Sequence, residues 1–233
     1  MRPPPEHERG GPDPTATHFP DLCLRKENLR ARMRAALADL PQSWLRAAGE
    51  AAAMRLEEIP EFRAARRLAV YLAVPQEMPT EALIERCRQE NRALAVPAWD
   101  ADRRTYRLAA FFPGMPLRRG PWGVPQPAAL EWVETPEINL WVVPGLAFSE
   151  EGMRLGRGGG WYDRLLAGAR APRLGWALDV QVVPFVPAAR HDIRIDRIVT
   201  EQRIVNCSCR KDERGLTMEP PTAADGGCRK TGT

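Results

Sequence analysis

Histidine is scarce in this chain, with three in 233 residues, two of them among the first eighteen. The five cysteines are odd in number and show no C-x-x-C spacing, which excludes the common zinc-site and thioredoxin-like patterns. Cys207 and Cys209 form the one close pair, without further ligands beside them. Reduced thiols and a reducing compartment, the cytoplasm, are the resulting expectation. No apolar run approaches the roughly 18 residues that a membrane-crossing helix requires. The first 20 residues carry six prolines, and acids where an export signal would be apolar, so export is not expected. A concentrated basic stripe with interleaved aromatics is missing too. The formal charge is +4, and Arg2, Arg9, Arg210, Lys211, Arg229 and Lys230 place part of the positive charge in the tails. This mild excess suits anionic small molecules, and neither a nucleic acid nor a membrane is expected as partner.

Glycine, by contrast, is concentrated. Residues 152–166 read GMRLGRGGGWYDRLL, with five glycines between Gly152 and Gly160 and both Arg154 and Arg157 among them. Glycine loses the most backbone entropy on folding, so such density points to left-handed turns or close approach to a ligand. An apolar run, Ile138 to Val143, precedes the segment, and Trp161-Tyr162-Asp163-Arg164-Leu165-Leu166 follows as a first helical turn. Strand, loop and helix in that order, with two arginines, suit phosphate. A P-loop is excluded, because Trp161 and Tyr162 stand where lysine and a hydroxyl residue are required. The dinucleotide fingerprint also fails, because Trp161 falls where a small residue is needed. A plain glycine-rich surface loop remains the bland alternative.

Composition is that of an ordinary globular chain, 44% hydrophobic and 27% charged. Residues 1–20 and 207–233 lack hydrophobic periodicity and are expected to be disordered, leaving one domain over 21–206. Leu22, Leu29, Met33, Leu37 and Leu40 recur at helical spacing, with Lys26, Arg30 and Arg34 on the polar side; Lys26 and Arg30, four apart, share a face. A second helix is expected over 42–57. The apolar run Leu68 to Val74, a helix capped by Thr80, and a second apolar run from Ala93 to Val96 form a βαβ unit. Further strands are expected at 105–112, 138–143, 173–178 and 197–200. Such alternation predicts a single-domain three-layer α/β/α fold with an open, mostly parallel sheet. Glu77 and the glycine loop both follow strands, where such sheets bind ligands.

KENLR (26–30), PQEMPTEAL (75–83), VPGLAF (143–148), RLGRGGGWYDRLL (154–166) and HDIRIDRIVTE (191–201) together resemble, in order, the 5-formyltetrahydrofolate cyclo-ligase family, also called 5,10-methenyltetrahydrofolate synthetase. The resemblance implies an ATP-dependent, Mg²⁺-requiring cyclisation of 5-formyltetrahydrofolate, the substrate carrying one or more glutamates, by a monomer. It places Lys26 and Arg30 on the ATP phosphates, Glu77 on the folate, and Arg154 with the loop from Gly156 through Arg157, Gly158, Gly159, Gly160, Trp161 and Tyr162 around both ligands. Arg154 and Lys26 are the expected catalytic cations, Arg157 and Tyr162 also face the substrate, and Asp163 contacts ATP and, with Asp192, the magnesium. Trp122, in PWGVPQP, is a candidate stacking surface for the pterin, although with seven tryptophans in the chain a core or packing role is the commoner one. His191 is a neighbour of Asp192 with no assigned chemistry. Gly159 stands where animal members often carry lysine, and Trp161 where Tyr or Phe is usual. The rival is a non-catalytic descendant that binds folate, nucleotide or RNA; the presence of Lys26, Arg30, Glu77, Arg154, Asp163 and Asp192 speaks against it.

Overall fold

A computed structural model describes residues 19–189 and 192–207. The stretches 1–18 and 208–233, read from sequence as tails, lie outside them, as does His191. In chain order the elements are α1 (Phe19–Ala38), α2 (Gln42–Met54), α3 (Pro60–Ala64), β1 (Arg67–Ala69), α4 (Glu81–Gln89), β2 (Ala93–Asp100), β3 (Thr105–Phe111), β4 (Leu117–Arg119), β5 (Pro125–Pro127), β6 (Trp132–Val133), β7 (Leu140–Val143), β8 (Ala147–Phe148), β9 (Arg154–Leu155), α5 (Trp161–Leu166), β10 (Arg173–Trp176), β11 (Arg197–Val199) and β12 (Ile204–Asn206). Helix α1 thus begins just before the expected domain, and Cys207, just past its end, packs on the core and bonds through its N–H to the Asp196 carbonyl. No helix among the described residues is long and apolar enough to cross a membrane.

Eight strands form the main sheet in the order β12-β11-β10-β7-β1-β2-β3-β6. The central pairs, β11–β10, β10–β7, β7–β1 and β1–β2, are parallel, while β12, β3 and β6 pair antiparallel at the edges. Alternation along each central strand divides the apolar residues between two cores. Leu68, Leu140, Val142 and Leu174 join Leu29, Met33, Leu45, Phe62 and Leu83 of α1 to α4 on one face. Ala69, Trp141, Val143 and Ile198 meet Leu165 and Leu166 of α5 on the other. The expected three layers are present, unequal in weight, and the sheet is parallel at its centre and antiparallel at its edges.

After β1 the chain crosses through α4 to β2 on one side, then returns to place β7 on the other side of β1. The strand order therefore reverses between β1 and β7, and at such a switch point the carboxyl ends of neighbouring strands open a crevice.

Two local expectations need correction. The ladder of β1 ends at Ala69 rather than Val74. The Val70 N–H still reaches the Ala95 carbonyl, but Tyr71 to Val74 leave the sheet for a turn in which Gln76 has φ +70° and Glu77 closes back on Val74. Thr80 does not cap α4 with its side chain. It is buried, and its hydroxyl donates 2.9 Å to the Tyr71 carbonyl, because a carbonyl taken off the sheet into the interior needs a donor more than a solvated helix end does.

Candidate active site

Glu77 follows β1, and the glycine loop follows β8 and β9 beyond β7, so both lie at the switch point. Lys26 and Arg30 reach the same place from α1. Leu29, Met33 and Leu37 are buried against the sheet, which turns the adjoining face of the helix, with Lys26 and Arg30, toward the loop. These two side chains are mostly covered, at 17% and 13% exposure, whereas Arg34 is exposed as a solvated cation. The sequence had set all three on one polar side. What separates them is cover: Asp192 meets Lys26 and the Gly156 carbonyl meets Arg30, and Arg34, one turn further along, is left in solvent.

Each cation is matched to a loop carbonyl or a carboxylate. Lys26 ion-pairs with Asp192. Arg30 Nε donates to the Gly156 carbonyl at 2.9 Å, and its guanidinium contacts Glu27. Arg154 is buried, donating to Asp163 Oδ1 at 2.8 Å and to the Pro144 carbonyl at the end of β7 at 3.2 Å. Arg157 Nε donates to Glu77 Oε1 at 3.0 Å and joins the two loops across the crevice. Burial raises the Glu77 pKa, against the opposing effects of Arg157 and of the Val74 N–H. Tyr162 lies beside Arg154, whose guanidinium carbon is 5.7 Å from its ring, and burial raises its hydroxyl pKa well above the usual range. The Tyr162 hydroxyl and Arg154 Nε are buried without a hydrogen-bond partner among the described residues. Unmet buried donors are costly, and these two belong to the glycine-loop segment.

The loop owes its shape to Gly158 at φ +110° and Gly160 at φ +63°. Helix α5 has only six residues, so its dipole adds little, and the anion-attracting field comes from the side-chain cations instead. That weakens one of the reasons for expecting phosphate here and strengthens the other.

Around Trp161, at the end of the glycine loop, stands an aromatic wall. Trp99 and Tyr106 face each other across β2 and β3, with ring centroids 5.4 Å apart at 72°. Trp161 packs edge-on against both, and Trp122 closes the group 5.1 Å from Trp161. Trp122 sits between β4 and β5 at φ +57°, an uncommon conformation for a residue with a side chain, and is 68% exposed. A strained, exposed indole is poor core and good ligand surface. Trp99 and Tyr106 were missed from sequence, although their opposition follows once β2 and β3 are recognised as a hairpin.

Among the described residues no three acidic, histidine or cysteine side chains cluster as a metal site. Asp163 and Asp192 are instead each held by a cation. This donor set, two carboxylates each beside a cation, fits Mg²⁺ arriving with a nucleotide, since that ion takes one or two carboxylates and completes its shell with phosphate oxygens and water.

Fold and site together define a doubly wound α/β protein in which a cation-rich glycine loop and an aromatic wall meet at the switch point of the sheet. The chain belongs to the 5-formyltetrahydrofolate cyclo-ligase family, whose model matches residues 24–201, and the motif resemblance is borne out. It is 27% identical over 194 residues to a probable 5-formyltetrahydrofolate cyclo-ligase of Caenorhabditis elegans, covering 76% of this chain and 92% of that one. It is 26% identical over 182 residues to the 5-formyltetrahydrofolate cyclo-ligase of Escherichia coli strain K12, covering 76% and 98%. The NMR structure of Aquifex aeolicus 5,10-methenyltetrahydrofolate synthetase superposes with TM-score 0.69 at 28% identity, over 83% of this chain and 96% of that chain.

Proposed function

We propose that this protein converts 5-formyltetrahydrofolate and ATP to 5,10-methenyltetrahydrofolate, ADP and phosphate with Mg²⁺. The observation that carries the reading is that Arg154, Arg157 and Trp161 share one glycine-rich segment: its cations suit a triphosphate, and the rings packed on Trp161 suit a pterin. The formyl oxygen is a poor leaving group. Transfer of the γ-phosphoryl group to it makes a phosphate ester, N10 attacks the activated carbon and gives up its proton to solvent, and the C–O bond breaks as phosphate departs. The protein contributes positioning and charge neutralisation, as in other phosphoryl transfers.

In this scheme Lys26 and Arg30 hold the phosphates, and Arg154, fixed by Pro144 and Asp163, faces the transferring group. Glu77, oriented by Val74 and Arg157, accepts from folate N–H groups, while Arg157 and Tyr162 border both ligands. Trp122, with Trp99 and Trp161, forms the stacking surface. Asp163 and Asp192 would hold Mg²⁺, which neutralises phosphate charge when bound. The same reading makes the protein a cytoplasmic monomer with small-molecule ligands and neither a nucleic-acid nor a membrane partner.

The test is the near-ultraviolet band of methenyl-folate, followed with purified protein and 5-formyltetrahydrofolate, with and without Mg-ATP. Product is expected only with both, and turnover without ATP, or none under any condition with folded protein, overturns the proposal. Asp163→Asn and Asp192→Asn, which remove charge and keep bulk, are each expected to raise the Mg²⁺ concentration for half-maximal rate. An unchanged metal requirement in both variants returns the two aspartates to ion pairing alone.

A further inference from the structure

Arg164 has no counterpart in the set of site residues that the sequence motifs supply, yet it touches both the glycine loop and the aromatic wall. It stands four residues beyond Gly160, and a helical side chain covers the turn N-terminal to its own position. Its Nη2 donates 2.8 Å to the Gly159 carbonyl, and its guanidinium carbon lies 4.1 Å from the centre of the Trp161 ring. The indole is held on its remaining sides by Trp99, Tyr106 and Trp122, at centroid distances of 5.1 to 5.4 Å. Trp161 also occupies the space of a side chain at residue 159, since a Cβ there would fall 2.6 Å from its Cδ1. One guanidinium therefore grips the loop backbone and the first ring of the aromatic wall together.

We propose that Arg164 is a positioning residue that locks the glycine loop and the aromatic wall into a single arrangement, so that the folate side of the site depends on it through Trp161. The inference rests on the proposed function. Only a flat, forked cation does both tasks; lysine keeps the charge and one hydrogen bond but does not stack in the same way.

The experiment compares wild type with Arg164→Ala, Arg164→Lys, Trp161→Ala and the Trp161→Ala/Arg164→Ala double variant, measuring kcat and the KM of each ligand. Arg164→Ala is expected to raise the KM for 5-formyltetrahydrofolate about three- to fivefold, the weight of an exposed cation–π contact. It should add nothing to that KM in the Trp161→Ala background. The KM for ATP rises as well, through the lost Gly159 anchor, and this rise persists in the double variant. Arg164→Lys should restore the ATP value more fully than the folate value. A wild-type folate KM in Arg164→Ala, or folate effects of the two substitutions that multiply, overturns the inference. Absence of wild-type cyclisation overturns the proposed function instead; tryptophan quenching by 5-formyltetrahydrofolate then reads the same comparison as dissociation constants, and equal values throughout overturn the inference as well.

Discussion

Arg154→Ala is expected to lower kcat by about a hundredfold to a thousandfold, the loss typical when one preorganised donor to developing charge is removed. The dissociation constants of ATP and 5-formyltetrahydrofolate should move by less than about tenfold, because an interaction that strengthens in the transition state weighs on rate more than on binding. The structure supports this division. Arg154 has little freedom, with 5% of its side chain exposed and its two Nη atoms fixed by Asp163 and Pro144, while Nε has no partner among the described residues. The substitution also leaves Asp163 without its cation, so stability should fall by about 1–3 kcal/mol, and urea denaturation is needed to show that the variant is folded during assay. Single-turnover measurements separate the outcomes. An unchanged chemical rate with weakened binding of both ligands makes Arg154 a structural support.

Lys26→Ala and Glu77→Ala should have opposite effects. Charge-assisted hydrogen bonds of about 1.5–3 kcal/mol imply a tenfold to hundredfold loss for the ligand that loses its partner. Lys26→Ala is expected to weaken ATP by that factor and spare folate, and its effect is enlarged because the bared Asp192 then repels the phosphates. Adding Asp192→Asn to Lys26→Ala should recover part of the loss when ATP is titrated without Mg²⁺. Glu77→Ala is expected to weaken folate and spare ATP. Titration calorimetry with each ligand decides. If both variants weaken both ligands equally, the crevice is one shared pocket and the separation into an ATP side and a folate side is wrong.

Much of this arrangement is legible in the sequence because its causes are local. The four-residue spacing of Lys26 and Arg30 on a helix, the glycine cluster after an apolar strand and the βαβ pattern from Leu68 to Val96 each follow from periodicity or backbone chemistry. The partners are not legible. That Lys26 pairs with Asp192, and Arg157 with Glu77, is decided by which strands are neighbours, and the pairs bridge 166 and 80 positions of chain. Arg164 reads as an ordinary exposed helical residue until the left-handed turn at Gly160 brings the loop back beneath it. The apolar run reads as strand through Val74 because Tyr71 to Val74 are as apolar as the residues before them; Tyr71 is buried, and Leu72 and Ala73 partly so, by packing off the sheet, which composition does not distinguish from burial within it. Edge strands such as β6 and β12 are too short to show a period.

The mutual pairing of these charges also bears on how the ligands enter. Lys26 with Asp192, Arg154 with Asp163 and Arg157 with Glu77 are three couples in which each cation is already held by a carboxylate. Entry of a polyphosphate is then an exchange of counter-ions. As it takes the cations, it releases Asp192 and Asp163, and the released carboxylates prefer a divalent ion to water. Nucleotide and metal are therefore thermodynamically linked in the proposed reaction, and each must raise the affinity for the other by the same factor.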